Sequence, residues 1–195
     1  MSFGAATGEP SETRELMALQ GIYKESKTFT GNDVNRPKFL EAMHSAPILH
    51  YAGHSATEAA DPLRSSILLD GNRYGPNSVT AVDIAQQRLL RNSLVVLSSC
   101  DSSVGNSRDG VGMRGLTSAF LIGGAGVVVG SLWPVEASST SNLMVSFHRG
   151  FSSSKLSVAH ALRNAQLPFI RSAGKNSHPY YWSAFVVTGN FSALR

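Results

Sequence analysis

The stretch SLVVLSSCDSSVG, residues 93–105, decides the fold. Leu94, Val95, Val96 and Leu97 form an unbroken apolar run, the pattern of a strand covered on both faces. Two serines, the single cysteine and a serine- and glycine-rich loop follow, which puts Cys100 just past the end of that strand. Upstream, PILHYAGH (47–54) is a second short apolar run that ends at Gly53 and feeds His54 into a loop. Downstream, AGVVVGSLW (125–133) and AFVVTGN (184–190) read as two more strands. SKTFTG (26–31) is a short β-rich piece, and SSILLDGNRYG (65–75) reads as a hairpin closed by Asp70 and Gly71.

Helical patterns separate these runs. From Ser11, SETRELMALQGIY places Leu16, Leu19, Ile22 and Tyr23 on one face. Residues 35–44 repeat that spacing through Phe39, Leu40 and Met43 before Pro47. Residues 80–90 open on a Thr-x-x-Asp capping pattern, 113–122 end at Gly123-Gly124, and 136–151 and 156–170 read as two long helices. No internal repeat of fixed period is visible. Strands alternating with helices predict an α/β three-layer sandwich, a mostly parallel sheet flanked by helices. In such sheets chemistry collects at the carboxyl edge of the strands.

Composition narrows the function classes. At about 150 residues per domain, 195 residues predict one compact domain. With 42% hydrophobic and 15% charged residues, disorder, collagen and coiled coil are excluded. The longest apolar run, 123–132, is broken by glycines and falls short of the roughly 20 residues a bilayer span needs, so no membrane contact is expected. The +4 formal charge is scattered along the chain without a basic stripe, which argues against nucleic acid as a partner. One cysteine and no charged-then-apolar leader fit a reducing cytoplasm. The N-terminal MSFGAATGEP shows no structural need to begin where it does, as if cut from a longer protein.

His54 and Cys100 are therefore expected to emerge at one sheet edge. A thiol of pKa about 8.5 is activated when an imidazolium or helix N-terminus lowers that value, and histidine exchanges protons near neutral pH. A Cys/His pair across neighbouring strand ends suits acyl transfer through a thioester, with the backbone N–H groups of Ser55 and Cys100 as oxyanion donors. Against this stands the ordinary role of a lone cysteine as a small buried hydrophobe. Of the other histidines, His50 falls inside a strand, His44 at a helix end, His148 and His160 on helices and His178 before Pro179; none joins a strand's carboxyl end to a glycine neighbour.

Five ordered blocks sharpen this: ILHYAGHS (48–55), SLVVLSSCDSSVG (93–105), GLTSAFLIGGAGVVVGSLWPVEASST (115–140), SVAHALRNAQ (157–166) and YYWSAFVVTGN (180–190). Together they resemble the CHAT domain, a caspase- and separase-like cysteine peptidase module often attached to tetratricopeptide repeats in bacteria. The resemblance implies a caspase-hemoglobinase fold and a single domain over 1–195, the C-terminal catalytic portion of a longer module. It matches the catalytic histidine to His54 and the nucleophile to Cys100, and implies a cysteine endopeptidase that needs no cofactor or metal. Its partners would be a protein or peptide substrate and a regulatory repeat segment or second chain.

Two positions depart from the family pattern. Ser55 replaces the glycine usual after the histidine, a strained choice if that position needs positive φ. Asp101 stands where glutamate is commoner after the cysteine. Relatives that cut after basic residues carry an acid in the primary pocket, some of them two residues before the cysteine, where this chain has Ser98; that argues against a basic substrate. Asp101 and Glu136 are alternative acidic linings and Trp133 a candidate wall, although Glu136 also suits a first-turn helix-dipole role and Trp133 plain packing. Two further function classes stay open. One is a non-catalytic module that holds a peptide in the same cleft. The other is a flavodoxin-like nucleotide or phosphate binder using the glycine-rich loop after Cys100 and the GGAG segment at 123–126, weakened by the lack of a Gly-x-Gly-x-x-Gly run or P-loop lysine. Metal catalysis lacks ligand spacing.

Overall fold

The apolar runs pair as predicted, in a computed structural model that describes the chain except residues 5–8, 59, 73–74, 92, 102–110, 135, 154–155 and 191–195; at 2, 4, 100, 101 and 111–114 it describes the backbone alone. The glycine- and serine-rich loop after Asp101 thus lies outside the described residues. The elements run β1 (Ser2–Gly4), α1 (Pro10–Ile22), β2 (Thr28–Phe29), α2 (Arg36–Ser45), β3 (Ile48–Ala56), β4 (Ser66–Leu68), β5 (Ser78–Thr80), α3 (Ala81–Ala85), β6 (Leu94–Asp101), α4 (Val111–Ile122), β7 (Val127–Ser131), α5 (Ala137–Ser153), α6 (Val158–Arg171) and β8 (Phe185–Gly189). The main sheet has the order β2-β1-β3-β6-β7-β8. Its pairs are parallel up to β7, and β8 closes the far edge antiparallel to β7.

Period-two alternation splits the core into two layers. Val95 and Leu97 of β6 join Leu49 and Tyr51 of β3 with Phe39 and Met43 of α2 and Leu116 and Phe120 of α4. Leu94 and Val96 face the other way, onto Leu143, Met144 and Phe147 of α5 and Val158 and Leu162 of α6. Helix α1 packs beside α5 on this second face.

Several elements differ from expectation for identifiable reasons. β3 does not stop at Gly53: the antiparallel partner β4 pairs with His54, Ser55 and Ala56 and keeps the chain extended. Cys100 likewise lies within β6 rather than beyond it, because the parallel ladder with β3 continues to Asp101. The hairpin at 65–75 is real on its first side only. β4 pairs with β5, three residues past that range, so Asp70 and Gly71 (φ 76°) turn the chain within a longer connection. Helix α3 opens as its capping box predicts, the Thr80 hydroxyl accepting from Asp83 N–H at 3.1 Å. It ends by Ala85, and the chain beyond bonds to other elements, Leu89 N–H to Gly123 and Leu90 N–H to Met43.

The N-terminus is the largest addition. Ser2–Gly4 forms a strand between β2 and β3, with Phe3 fully buried, stacked on Phe29 (4.6 Å between centroids) and edge-on to Phe39 (5.2 Å). Three residues are too few for a periodic signal, and the glycines and alanines that follow mask them. Phe3→Ala should cost about 3–5 kcal/mol, from lost transfer energy and the cavity left behind. Urea unfolding followed by circular dichroism would measure it, and a loss below about 1 kcal/mol would show that β1 contributes little to the folded core.

Candidate active site

The parallel ladder between β3 and β6 sets the geometry. Ile48 pairs with Leu94 and the register runs unbroken through Ala52 and Ser98 to His54 and Cys100, then Ser55 and Asp101. Residues paired this way sit on strands about 4.8 Å apart. His54 and Cys100 are therefore level at the carboxyl edge of the two central strands. His54 is half-buried, and its backbone is fastened by buried Tyr51: the phenol accepts from His54 N–H at 3.1 Å and lies 2.8 Å from the carbonyl of His54 and 2.9 Å from that of Leu68. Ser55 lies in the extended strand between β4 and β6, a backbone region serine adopts freely, so the strain considered above does not arise.

A cavity of about 160 Å³ opens beside His54. Its walls are Gly53 and His54 of β3, Ser98 of β6, Ala137 and Thr140 of α5, and Glu9, Glu12 and Glu15 at the start of α1. Ser98, expected at the site, is among the lining residues. Trp133 and Glu136 do not line this cavity. Trp133 donates its indole N–H to the Tyr180 carbonyl at 3.2 Å, and Glu136 takes Lys175 Nζ at 3.0 Å and the Ser139 hydroxyl at 2.8 Å, which hold its carboxyl below the usual range. The side chains of Cys100 and Asp101 lie outside the described residues.

Beneath the cavity a buried polar chain crosses the second core layer. Tyr23 Oη lies 3.0 Å from His148 Nδ1, His148 Nε2 is 3.1 Å from His50 Nδ1, and His50 Nε2 is 2.9 Å from Glu15 Oε1. Burial sets every protonation state here. It pushes the Tyr23 phenol up to about 12, His50 down to about 3 and His148 well below its usual value. It raises the Glu15 carboxyl to about 8 against a smaller pull from the Ser98 hydroxyl. At neutral pH the chain is therefore uncharged, each link needing one proton between two heteroatoms. It runs from the cavity at the carboxyl edge to a larger one, about 560 Å³, at the amino-terminal end of β3, whose lining includes Tyr23, His50 and His148.

The other histidines are occupied elsewhere: His44 Nδ1 on the Arg88 carbonyl at 2.7 Å, His160 Nδ1 on the Ser157 hydroxyl at 2.9 Å, and His178 Nδ1 accepting from Tyr180 N–H at 3.2 Å. Among the described residues no group of three or more His, Cys, Asp or Glu is arranged to hold a metal ion, and no helix is long and apolar enough to cross a membrane.

With this geometry in hand, a family model for the CHAT domain matches residues 1–190. The chain belongs to the CHAT domain family. It is similar to human tetratricopeptide repeat protein 28, 32% identical over 173 residues, a match that covers 89% of this chain and 6% of that protein. Among solved structures it is similar to the Arg-specific cysteine proteinase gingipain R (RgpB) of Porphyromonas gingivalis, with a TM-score of 0.64 at 12% identity over 99% of this chain and 46% of the other. It is also similar to separase in the Saccharomyces cerevisiae separase–securin complex, with a TM-score of 0.65 at 16% identity over 97% of this chain and 12% of the other. This CHAT domain therefore has the caspase-like fold that the resemblance implied.

Sequence reasoning missed Tyr51, Thr140 and the glutamates of α1. The glutamates did carry a signal. Glu12, Glu15, Leu16 and Leu19 stand at i, i+3, i+4 and i+7, so two carboxyls share the buried stripe of an amphipathic helix.

Glu15 generates a pH prediction. Its folded value of about 8 exceeds the ordinary 4.5, so the folded state holds a proton the unfolded chain has released. That stabilisation is complete below pH 4.5 and is lost as pH rises through 8. His50 works oppositely, its lowered value removing stability only below pH 6.5. Between pH 7 and 8 Glu15 contributes a falling slope of up to roughly 1.4 kcal/mol per pH unit, opposed by the buried Met1 amino group, whose value burial lowers. Glu15→Gln, an uncharged isostere of the protonated acid, should flatten the fall in urea midpoint over that interval; an unchanged slope would place the ionisation elsewhere.

Proposed function

We propose that this CHAT domain is a cysteine endopeptidase in which Cys100 is the nucleophile and His54 its proton-transfer partner. The observation that carries the proposal is the register of the two central strands, which sets these two residues level at the carboxyl edge of the sheet. Register partners belong to the same face of a pleated sheet, and this face carries a cavity that adjoins His54. The caspase-like fold of the chain supports the same assignment.

In this mechanism the Cys100 thiolate attacks the scissile carbonyl carbon, and the negative charge on the carbonyl oxygen is met by backbone N–H groups at this edge, that of Cys100 among them. His54, holding the thiol proton, gives it to the departing amine as the C–N bond breaks, leaving a thioester on Cys100. A water then adds to the thioester carbonyl and loses its proton to His54. The carboxylic acid departs, and the proton returns to the thiol/imidazole pair. No metal or cofactor enters this sequence. The chain spans 6% of the human relative it matches, so control by an adjoining repeat segment or a partner chain belongs to the proposal as well.

Replacing Cys100 by alanine should abolish new amino termini generated in a denatured proteome, read by terminal labelling and mass spectrometry, while circular dichroism stays unchanged. At pH 7 the wild-type thiol should be alkylated by iodoacetamide at least tenfold faster than in a His54→Ala variant, because a neighbouring imidazole raises its thiolate fraction. Cleavage that survives Cys100→Ala would remove the proposal. Alkylation at the rate of an ordinary thiol, with no cleavage, would leave the cleft as a peptide-binding site without chemistry.

A further inference from the structure

Both peptide groups that flank the His54 Cα end on one oxygen. The Tyr51 phenol accepts from His54 N–H at 3.1 Å and lies 2.8 Å from the His54 carbonyl, so it holds the peptide units on either side of that residue. Those two units define the soft dihedrals φ and ψ of His54, and the direction of its Cβ follows from them. The same oxygen is 2.9 Å from the carbonyl of Leu68, the residue opposite His54 in the ladder with β4. With a single proton to give, the phenol takes one hydrogen bond from His54 and offers one to the pair of carbonyls. The ring itself is clamped. Tyr51 is fully buried, pairs with Leu97 of β6 and lies edge-on to Phe39 of α2, 6.1 Å between centroids.

We infer that Tyr51 is the positioning residue of the site: its hydroxyl fixes the direction in which the His54 imidazole leaves β3, the orientation that proton exchange with Cys100 requires. The inference rests on the peptidase proposal for its consequence and on the hydrogen bonds for its geometry. A buried phenol ordinarily needs one partner, and the Leu68 carbonyl would serve. Contact with both peptide groups of the residue that carries the proposed base goes beyond that need. Alternate positions of a strand share a face, so Tyr51 starts on the side of α2 and α4 while His54 leaves by the side of α1 and α5. Tyr51 accordingly does not line the 160 Å³ cavity, and it acts only through His54. A catalytic imidazole is commonly oriented by a third group bonded to its ring. Among the described residues no hydrogen bond reaches the His54 ring, and the main chain takes over that task. Burial pushes the Tyr51 phenol far above its usual range, so the proton that makes these bonds stays in place wherever a thiol and an imidazole titrate.

Tyr51→Phe keeps the buried ring and deletes only the hydroxyl. Iodoacetamide alkylation of Cys100 at pH 7 should slow about fivefold or more, most of the way to the His54→Ala rate, while at pH 9.5, where a thiol of pKa about 8.5 is already ionised, the rate should not change. The double variant should react no more slowly than His54→Ala alone, because Tyr51 acts through the imidazole. A slowing that persists at pH 9.5, or in the His54→Ala background, would mean that the hydroxyl shapes access to the thiol and would overturn the inference. So would a wild-type rate in Tyr51→Phe at pH 7, with the peptidase proposal left standing. A second measurement needs neither catalysis nor a reactive thiol. Three-bond couplings to the His54 Cγ, read by NMR on the Cys100→Ala chain, should report one χ1 rotamer with Tyr51 present and averaged rotamers in Tyr51→Phe. Averaging with Tyr51 in place overturns the inference even if the phenylalanine variant fails to fold, and so do couplings that Tyr51→Phe leaves unchanged. An ordinary alkylation rate in the wild type, together with a single rotamer that Tyr51→Phe releases, would remove the peptidase proposal and keep Tyr51 as the residue that fixes His54.

Discussion

The structure depends on the register between β3 and β6. Eight consecutive pairs, Ile48 with Leu94 through Ser55 with Asp101, lock two strands that are buried on both faces. Slipping by one residue would turn Val95 and Leu97 away from α2 and α4 and drive Leu94 and Val96 out of the layer under α5 and α6, reversing both cores at once. Packing therefore forbids the slip, and the same constraint holds His54 level with Cys100. The proposed Cys/His pair needs no separate device to set its register; it inherits that register from hydrophobic burial several residues away.

That core is not wholly apolar. Glu15, His50 and His148 interrupt the layer between α1, α5 and the sheet, with Tyr23 at its outer end. Such a chain survives in low dielectric because it is neutral at physiological pH and three of its side chains are linked by the Tyr23–His148 and His148–His50 hydrogen bonds. It also ties the position of α1 to the central strand, since Glu15 meets His50 four residues before His54. Helix α1 is therefore placed relative to the sheet by the Glu15–His50 contact as well as by Leu16 and Leu19.

Much of this was legible in the sequence, and the misses share a physical cause. The consecutive apolar runs at 48–52 and 94–97 announce parallel strands because only a doubly covered strand is apolar on both faces, and that sufficed to bring His54 and Cys100 to one edge. Strand ends were misjudged because they are set by partners: β4 extends β3 past Gly53, and the β3 ladder extends β6 through Cys100. β1 escaped notice because three residues show no period, though Phe3 is among the most buried side chains in the molecule. At the site, attention to the strand ends found Ser98 but passed over α1. Glutamates in a first turn are common, and their buried placement follows from packing against α5, a tertiary fact.

First-turn acids on a helix have an ordinary explanation in the macrodipole, and it accounts for part of α1. Glu9 is exposed and precedes Pro10 at the helix start, as that explanation asks. Glu12 and Glu15 do not fit it. A carboxyl that serves the dipole is ionised and wet, whereas these are 8% and 2% exposed and pushed upward by burial toward the neutral form. Glu15 has a reason to be inside, as the terminus of the polar chain from Tyr23. Glu12, the third residue of the helix, is hydrogen-bonded by the Glu9 backbone at the N-cap, which pulls its carboxyl down against the larger upward push of burial.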